Sequence, residues 1–489
     1  MCYNAHMKQI RFLFSVVICL LLLCVIPNAA AETEQAEDLT EQCSFDFASD
    51  AGMAYRMFKN RSYSQMFDAH ASFSFTWEEA FSDARLCLQW FDLPEDICVL
   101  QYDADGALLV SETLPNLPET ITPLLREARR AEVRIGEKQT RVWLCGVYGK
   151  GELPDPFHDW EELPERLDYL LIATHADDDV LFLGSIPPIY GAERGYVGTV
   201  AYVTDSGRER ISEAEDGAWA LGIRIRPLFF GFPDIERGAG KDRRERMTYE
   251  ALLQQMVETY RRCRPLVVFA QDEKGEYGHW QHILSSKAAR DAFALAADPT
   301  FDPESAERYG TWQVQKLYLH LYPENTIVTD DQMPLAFFDG QNAYEVARAA
   351  FKKHVTQQGS GYAVNRVEGF FMFPFNRFGM AEGVVPSGDD VFDGIDETLF
   401  AAYVPPTPEP TEAPTPEPTE PPTPEPTETP EISLTPRPTD APTAVPTAEP
   451  DAEKPDESRL LLWGIGACAI ICAALIVFAL QRGKRNRSA

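Results

Sequence analysis

The 489-residue chain is poor in positive charge: 44 Lys and Arg residues stand against 76 Asp and Glu, for a net charge of -32. Proteins that bind nucleic acid or an anionic membrane surface need a basic face to contact phosphates. The composition therefore argues against a nucleic-acid partner, whereas neutral sugars and cationic products remain compatible with it. An apolar fraction of 45% is ordinary for globular protein and excludes disorder throughout the chain.

The chain also lacks any Cys-x-x-Cys pair. Half of its ten cysteines lie in residues 1–31 and 460–480, the two end segments described below. The others are scattered, namely Cys43, Cys87, Cys98, Cys145 and Cys263. An odd and widely spaced set is not typical of a disulfide framework, so we expect small buried side chains. The alternative is a single disulfide bond between two of the residues Cys43, Cys87, Cys98 and Cys145.

The N-terminus has the pattern of a secretory signal peptide. Lys8 and Arg11 precede an apolar run over residues 12–26, and residues 29–31 are three alanines, which a signal peptidase accepts at its cleavage site. Because the apolar run is short and small residues follow it, a cleaved signal peptide over residues 1–31 is favoured over an uncleaved anchor.

The C-terminus has the pattern of a membrane anchor. Residues 460–480 are uninterrupted apolar sequence, long enough to cross a bilayer as a helix. A basic tail follows at residues 481–489, and the positive-inside rule keeps such a tail in the cytoplasm. The sequence therefore predicts a single-pass protein of the cell membrane with its N-terminal bulk extracellular.

Residues 405–457, just before the anchor, repeat a Pro-, Thr- and Glu-rich theme without apolar periodicity. Such a stretch buries too little surface to fold, and proline stiffens it towards polyproline II. We therefore expect a disordered spacer. At about 3.1 Å per residue it would hold the outer domains on the order of 150 Å from the bilayer, which suits a bacterium with a thick cell wall.

Residues 40–155 contain short strand-like runs separated by turn signals. The predicted strands cover residues 72–77, 85–91, 97–102, 107–111, 131–135 and 141–147. Residues 103–106 (Asp-Ala-Asp-Gly) are a hairpin signal between two of them. This spacing predicts an all-β sandwich, which we interpret as a candidate carbohydrate-binding domain. Trp77, Trp90 and Trp143 are expected in its core, with sugar stacking as the alternative.

From residue 165, strand-like and helix-like stretches alternate, a pattern that builds a parallel sheet covered by helices. Strands are predicted at residues 169–174, 197–203, 226–230, 266–270 and 316–321, and helices at residues 213–221, 243–262, 279–296 and 342–354. Residues 165–404 are therefore predicted to form one α/β domain.

One predicted strand leads into a group of polar residues. The apolar residues 170–173 precede His175 and three consecutive aspartates at 177–179. Burying such groups without a role is costly, and in an open parallel sheet ligands bind beyond the carboxyl ends of strands. About a hundred residues later, His279 and His282 are spaced three apart at a predicted helix start. Together the two segments offer the pieces of a metal site.

Catalytic zinc is typically held by three nitrogen or carboxylate ligands, with water in the remaining position. His175, Asp178 and His282 supply such a set. Asp177, next to a ligand, is then free to act as general base on the water. His279 lies one turn before His282, where it can donate to an oxyanion or a leaving amine. Each motif alone also fits a solvated helix cap or a chance pair, and only the combination favours a functional site.

The ordered motifs resemble those of the PIG-L/LmbE family of N-acetylglucosaminyl deacetylases. Residues 174–179 (Thr-His-Ala-Asp-Asp-Asp) are similar to the family's Ala-His-Pro-Asp-Asp-Glu, and residues 279–282 to its His-x-x-His. Further similarities link residues 210–213 to the family's Arg-x-x-Glu, residues 231–234 to its Gly-x-Pro-Asp, and residues 354–357 to its His-x-Ser-Gln. The resemblance covers about residues 165–400.

The resemblance implies a Rossmann-like fold, a zinc ion or similar divalent metal, and hydrolysis of an N-acetyl group on a glucosamine-containing substrate. It places the metal on His175, Asp178 and His282. It also implies that Asp177 is the base, that His279 has the oxyanion or acid role, and that Arg210 contacts the sugar.

Two positions depart from the family pattern. Ala176 replaces proline, which makes the loop less rigid but removes no ligand. Asp179 replaces glutamate, and its shorter carboxylate is still expected to cap the helix.

Two other functions fit part of this residue pattern. A two-histidine, one-carboxylate set also serves non-haem iron oxygenases, but those sites usually lie in a β-barrel. The other is a non-catalytic surface carbohydrate-binding protein on the same fold, which would need neither Asp177 nor His279. The sequence thus predicts a cell-surface, metal-dependent amidohydrolase that acts on an N-acetylglucosamine-containing glycan or glycoside, with a cell-wall glycan as one such substrate.

Overall fold

The computed structural model describes residues 35–47 and 64–401, apart from positions 206, 237, 239, 370 and 371. The predicted signal peptide (1–31), spacer (405–457), membrane helix (460–480) and basic tail (481–489) lie outside the described residues. Within the ranges that are described, no helix combines the length and the apolar composition needed to span a membrane.

The first part of the chain forms two antiparallel sheets. The strands are β1 Ser44–Phe47, β2 Gln65–Phe67, β3 Ser72–Thr76, β4 Arg85–Trp90, β5 Cys98–Tyr102, β6 Leu108–Thr113, β7 Glu119–Pro123, β8 Arg130–Arg134 and β9 Thr140–Tyr148. One sheet has the order β1-β3-β8-β5-β6 and the other β2-β9-β4-β7. Inward-facing apolar side chains of both sheets form one core, so the sheets pack as the predicted sandwich.

The sequence patterns located six of these strands and missed β1, β2 and β7. The predicted hairpin joins β5 to β6, and its turn is stabilised by Asp103 Oδ1, which accepts hydrogen bonds from the backbone N–H groups of Asp105 and Ala107. Gly106 completes the turn at φ +81°, a conformation that glycine adopts without strain.

The tryptophans and most cysteines of this domain are buried. Trp77, Trp90 and Trp143 are at most 5% exposed, and Trp90 Nε1 donates to Thr120 Oγ1 at 3.1 Å. They fill the interior, and sugar stacking by these rings is excluded. All five cysteines of the described residues are free thiols, and only Cys98 is partly exposed.

The second part of the chain forms a seven-stranded sheet with the order β12-β11-β10-β13-β14-β16-β15. Its strands are β10 Leu167–Ala173, β11 Gly198–Asp205, β12 Leu228–Pro233, β13 Pro265–Ala270, β14 Lys316–His320, β15 Thr326–Val328 and β16 Arg377–Gly383. The first five are parallel and correspond to the five predicted strands. The antiparallel strands β15 and β16 were not predicted.

Helices cover both faces of this sheet. They are α1 Asp178–Phe182, α2 Arg208–Ala220, α3 Lys241–Arg244, α4 Tyr249–Cys263, α5 Trp280–Leu295, α6 Pro303–Tyr309 and α7 Ala343–Phe351, with a π-helical segment Pro187–Glu193 and 3₁₀ turns at Thr40–Gln42, Ala336–Phe338, Val355–Gln357 and Glu397–Leu399. Alternate residues of β10 point to opposite faces, so one set packs with α1, α2 and α7 and the other with α4 and α5. The result is the predicted α/β architecture.

The predicted helix over residues 243–262 is wrong in one respect, because two helices replace it. Thr248 has an extended backbone, and its side chain accepts a hydrogen bond from Ala251 N. It is therefore the N-cap of α4, which starts as a separate helix after the short α3 has ended at Arg244. The predicted helix at residues 342–354 is also too long: Asn342 is the N-cap of α7, and the helix ends at Phe351.

The order of the strands determines where a ligand binds. The chain passes from β10 outwards to β11 and β12, then returns to the other side of β10 to form β13 and β14. In such doubly wound sheets the crevice lies at this reversal, beyond the carboxyl ends of the two strands that flank it. Here those strands are β10 and β13.

Candidate active site

Three side-chain atoms meet beyond the carboxyl ends of β10 and β13. His175 Nδ1 lies 3.0 Å from His282 Nε2 and 3.0 Å from Asp178 Oδ2, and His282 Nε2 lies 3.2 Å from Asp178 Oδ2. All three residues are buried. The structure thus brings together the residues that were predicted to hold a metal, although they come from segments about a hundred residues apart.

The geometry of these atoms fits a divalent cation. With zinc-ligand distances of about 2.0–2.2 Å, tetrahedral ligand atoms lie about 3.3–3.6 Å apart. The observed separations fall within a few tenths of an ångström of that range. Burial lowers the pKa of His282, but Asp178 and Glu276 outweigh burial and raise it to about 10. The negative field that favours a proton there also favours a metal ion.

The loop after β10 is held in place by its own side chains. Asp178 Oδ2 accepts a hydrogen bond from the backbone N–H of His175 at 2.7 Å. His175 Nε2 lies 3.3 Å from Gln281 Oε1, so the ring donates there and directs Nδ1 at the other ligands. Gln281 is itself buried and donates to Pro233 O at 3.0 Å. These contacts orient the first histidine.

Glu276, which belongs to none of the sequence motifs, orients the second histidine. Its Oε2 lies 2.6 Å from His282 Nδ1 and its Oε1 lies 3.0 Å from His320 Nδ1. Burial alone would raise the pKa of Glu276, but His282 and the hydrogen bonds from both histidines hold it below its usual value. The carboxylate therefore fixes the proton of His282 on Nδ1 and leaves Nε2 for a metal.

Asp177 stands beside the ligand cluster without joining it. Its Oδ1 accepts a hydrogen bond from Arg210 Nη2 at 3.2 Å. Burial and the charge of Asp178 raise the pKa of Asp177 to about 6, against the opposing effect of Arg210. A carboxylate with a pKa near neutrality, next to a metal site, has the properties of a general base.

Arg210 comes from α2 and lies at the same pocket as Asp177. Besides its bond to Asp177, it lies 4.0 Å from Glu213, one turn further along the helix. Glu213 in turn accepts hydrogen bonds from the backbone N–H and the hydroxyl of Thr356. Two of the motifs noticed in the sequence, residues 210–213 and 354–357, are thus joined directly. The predicted contact between Arg210 and a sugar stays a prediction.

His279 is the N-cap residue of α5 and faces the same cluster. Its ring centre lies 4.8 Å from that of His175, edge to face, and 4.9 Å from that of His282. Burial and these two histidines lower the pKa of His279 to about 3. The ring is therefore neutral at physiological pH and can donate one N–H to a developing oxyanion.

The pocket above these residues is small. It encloses about 140 Å³, and Tyr277, Asp234 and Gln357 are among the other residues that line it. Asp234 Oδ1 lies 3.6 Å from His175 Nε2. The sequence motifs had included Asp234 and Gln357 without a role for either, and Tyr277 lies two residues before His279, the first residue of the His-x-x-His segment. Such a volume admits a small reacting group but lies below the range of about 300–1,000 Å³ typical of whole-ligand sites.

Asp179 does not cap α1 as expected, because Asp177 occupies the N-cap position. Asp179 instead points into the protein beside Tyr202 and is fully buried. Burial and the neighbouring aspartates raise its carboxyl pKa to about 7. The shorter side chain is therefore buried beside Tyr202 and does not occupy the helix N-cap.

His354, from the last motif, lies behind the pocket. It is fully buried, and neither ring nitrogen has a hydrogen-bond partner among the described residues. Gly217 of α2 packs against it so closely that a Cβ atom at this position would lie 2.5 Å from His354 Nε2. The glycine inside the helix is explained by this approach.

Similarity in sequence links the α/β domain to known deacetylases. The 1D-myo-inositol 2-acetamido-2-deoxy-alpha-D-glucopyranoside deacetylase 1 of Catenulispora acidiphila is 24% identical over 291 residues, which is 47% of this chain and 88% of the relative. The deacetylase of the same substrate from Thermobifida fusca is 24% identical over 290 residues, covering 47% of this chain and 98% of that protein. No protein-family model matches the chain.

Likeness to solved structures is weaker. The N,N'-diacetylchitobiose deacetylase from Pyrococcus horikoshii has a TM-score of 0.32 at 18% identity, over 39% of this chain and 71% of that chain. CpGH89CBM32-6 from Clostridium perfringens has a TM-score of 0.21 at 10% identity, over 23% of this chain and 100% of that chain. At these scores neither likeness supports the fold or the function of this protein.

The similarity of the α/β domain to deacetylases therefore rests on the sequence relatives and on the sequence motifs that lie together in the fold. The relatives are deacetylases of a substrate that contains 2-acetamido-2-deoxyglucose. These matches confirm the resemblance to the PIG-L/LmbE family that was stated from the motifs.

Proposed function

We propose that this protein is a metal-dependent amidohydrolase that removes the N-acetyl group from an N-acetylglucosamine-containing glycan or glycoside. The observation that carries the proposal is the meeting of His175 Nδ1, Asp178 Oδ2 and His282 Nε2 within 3.2 Å of one another. A carboxylate that is not part of this set, Asp177, lies directly beside it.

His175, Asp178 and His282 would hold the metal. A zinc ion held there supplies a Lewis acid for the amide carbonyl and makes a water molecule more acidic. Gln281 and Glu276 keep the two imidazoles in the tautomers that this ligation needs.

Asp177 takes a proton from the attacking water, whose oxygen forms a bond with the carbonyl carbon of the acetamido group. Arg210 holds the Asp177 carboxylate in place through its 3.2 Å hydrogen bond. His279 donates its N–H to the carbonyl oxygen as negative charge develops there. When the carbon-nitrogen bond breaks, the proton passes to the nitrogen, and the products are acetate and a free amine.

The size of the pocket supports an acyl group as the part of the substrate that enters. About 140 Å³ accommodates an acetamido group but not an oligosaccharide. The protein as a whole is acidic, which favours a substrate without phosphate groups and a product that carries positive charge.

A non-catalytic sugar-binding protein is the alternative function. It would need no carboxylate outside the ligand set that lines the same pocket, so Asp177 speaks against it. Incubation of the zinc-loaded protein with N-acetylglucosamine oligomers, followed by assay of free acetate, separates the two. Acetate release supports the enzyme, whereas sugar binding without acetate supports the alternative.

We further propose that the protein acts at the cell surface, anchored by one C-terminal helix with its catalytic domain outside. This proposal rests on the signal-like residues 1–31, the Pro-rich residues 405–457, the apolar residues 460–480 and the basic residues 481–489. The folded domains would then reach wall glycan through the spacer, and wall glycan is the substrate that this location favours.

A further inference from the structure

A large groove separates the β-sandwich from the α/β domain. Its walls come from both domains, and we call it the interdomain groove. It is lined by Phe91 and Leu93 of the sandwich, by Trp160 of the segment that connects the two domains, and by Ile211, Arg226 and Phe229 of the α/β domain. It encloses about 940 Å³, at the upper end of the range for ligand sites. Nothing in the proposed chemistry uses it.

The interdomain groove adjoins the catalytic pocket through α2. Arg208, Ile211 and Glu215 form one stripe of this helix, at spacings of three and four residues, and line the groove. Arg210, about a quarter of a turn away from Ile211, lines the catalytic pocket. Two successive residues of one helix thus contribute to the groove and to the pocket.

The end of the sheet provides a second connection. Gly231 of β12 lines the interdomain groove, and Asp234, three residues further on, lines the catalytic pocket. Since the pocket accepts only the acetamido group, the rest of a polymeric substrate must extend beyond it. The interdomain groove is a neighbouring space of sufficient volume to receive that extension.

The floor of the groove is polar. Arg226 forms ion pairs with Glu119 of β7 at 3.0 Å and with Glu215 of α2 at 3.2 Å, and Arg208 lies 3.6 Å from Glu215. Both arginines are therefore paired with glutamates. Arg226 has five N–H donors and is 22% exposed, so it keeps donors beyond the two ion pairs for hydroxyl groups.

The walls and the rim favour a neutral ligand. Phe91, Trp160 and Phe229 are half-buried rings that line the groove and offer apolar surface for the C–H faces of sugars. The exposed rim carries three acidic residues, Glu161, Glu162 and Asp205, and one basic residue, Arg262, a balance of 1 − 3 = −2. Polyanions are therefore disfavoured at the groove.

We propose that the interdomain groove binds the neutral sugar units next to the N-acetylated unit in the catalytic pocket, so that the protein prefers oligosaccharides. The catalytic preference for oligosaccharides rests on the proposed deacetylase function. The existence of the binding site itself does not depend on catalysis. The sandwich would then contribute to the substrate site through its edge residues Phe91 and Leu93 rather than through its buried tryptophans.

The test compares N-acetylglucosamine with its chitin-type tetrasaccharide on the full-length protein. Affinity is measured by calorimetry in an Asp177→Asn background, which avoids turnover, and kcat/KM is measured with Asp177 intact. The groove variant is Phe91→Ala/Leu93→Ala. The matched control is Leu108→Ala/Leu109→Ala, which removes two exposed apolar side chains of the sandwich outside the groove.

We expect the unaltered groove to bind the tetrasaccharide at least about tenfold more tightly than the monosaccharide, and the groove variant to lose about tenfold of the tetrasaccharide affinity. The ratio of kcat/KM between tetrasaccharide and monosaccharide should fall by a similar factor, and the control should keep both values. Phe91 contacts Arg141 and Trp143, so the thermal stability of the double variant is measured first. If the double variant unfolds at a lower temperature than its parent, Leu93→Ala alone is used in its place.

The outcomes separate this proposal from the proposed function. Tetrasaccharide affinity that is equal in the groove variant and its parent overturns the groove, even when acetate is released. Loss of affinity in the groove variant supports the groove, even when no acetate is released from any sugar. Binding of a synthetic peptide of residues 408–430 with no binding of the tetrasaccharide would also overturn it, in favour of a proline-rich ligand.

Discussion

Glu276 Oε2 lies 2.6 Å from His282 Nδ1, while the opposite nitrogen of the same ring, Nε2, points to Asp178 and His175. The other oxygen of Glu276 accepts a hydrogen bond from His320, whose Nε2 lies 2.9 Å from Pro374 O. A chain of buried contacts therefore runs from the candidate metal site to the strand β14. It fixes the ring of one ligand from outside the ligand set.

Replacement of Glu276 by glutamine should weaken zinc binding by about 10–100-fold, since a histidine that loses its outer carboxylate is a poorer and less oriented ligand. A competition assay with a chromogenic chelator measures the change. Glu273→Gln is the matched control, because this nearby glutamate is partly exposed and contacts Arg290 instead of a histidine. Equal zinc affinity in Glu276→Gln and the unaltered protein would contradict the supporting role.

Asp177 and Asp178 are neighbours with different proposed tasks, so their substitutions should separate chemistry from metal binding. The unaltered protein should hold about one equivalent of zinc, and Asp177→Asn should keep it while losing roughly 100-fold or more in rate. Asp178→Asn should lose the metal. Elemental analysis measures the bound zinc, and acetate assays measure the rate. An empty site in Asp177→Asn with a filled site in Asp178→Asn would reverse the roles proposed for the two aspartates.

His354 should make the protein less stable in acid. Burial and the nearby Arg210 lower its pKa from 6.5 to about 3, so the unfolded chain binds this proton more readily than the folded one. The free energy of unfolding therefore falls as pH drops below 6.5, by about 2–3 kcal/mol from this residue at pH 4.5. The loss is complete only near pH 3.

Urea unfolding at pH 7 and pH 4.5 tests this dependence on the metal-free protein. His354→Leu should reduce the loss of stability between the two pH values, because an apolar side chain of similar size has no proton to bind. His70→Asn, at an exposed histidine of the sandwich, serves as control. A pH dependence that is the same in His354→Leu and the unaltered protein would contradict the burial effect.

The proposed topology predicts a particular protease pattern. Protease added to intact cells should cut within residues 405–457 and release a soluble protein that retains deacetylase activity, because the spacer is the extended part of the exterior. The basic tail, residues 481–489, should stay protected until the cells are opened. Labelling of the tail from outside, with no release of the folded domains, would show the orientation to be reversed.

Much of the α/β domain could be predicted from the sequence because its parallel strands are buried on both faces. They read as continuous apolar runs bounded by turns, and all five were located. Strand β16 escaped because it contains Gly379 and Gly383 and has no apolar alternation. The structure explains one of these glycines: a Cβ atom at Gly379 would lie 2.2 Å from the carbonyl oxygen of Tyr322.

Only some residues of the candidate site could likewise be predicted from the sequence. The ligand residues stand in short motifs and could be named from sequence, whereas Glu276 could not. The loop after β13 offers Asp272, Glu273 and Glu276, and no periodicity distinguishes them. Glu276 reaches His282 because its backbone adopts φ +50°, and His320 joins it from a distant strand. Such contacts depend on the tertiary fold and leave no local signal.

The most direct test of the account is the release of acetate by the purified protein from N-acetylglucosamine oligomers, before and after removal of the metal. We predict acetate and free amine in equal amounts, loss of both after chelation, recovery with about one equivalent of zinc, and no recovery in His175→Ala/His282→Ala. Failure of the zinc-loaded protein to release acetate from any N-acetylated glucosamine substrate, together with tight binding of the same sugars, would contradict the account and identify a sugar-binding protein instead.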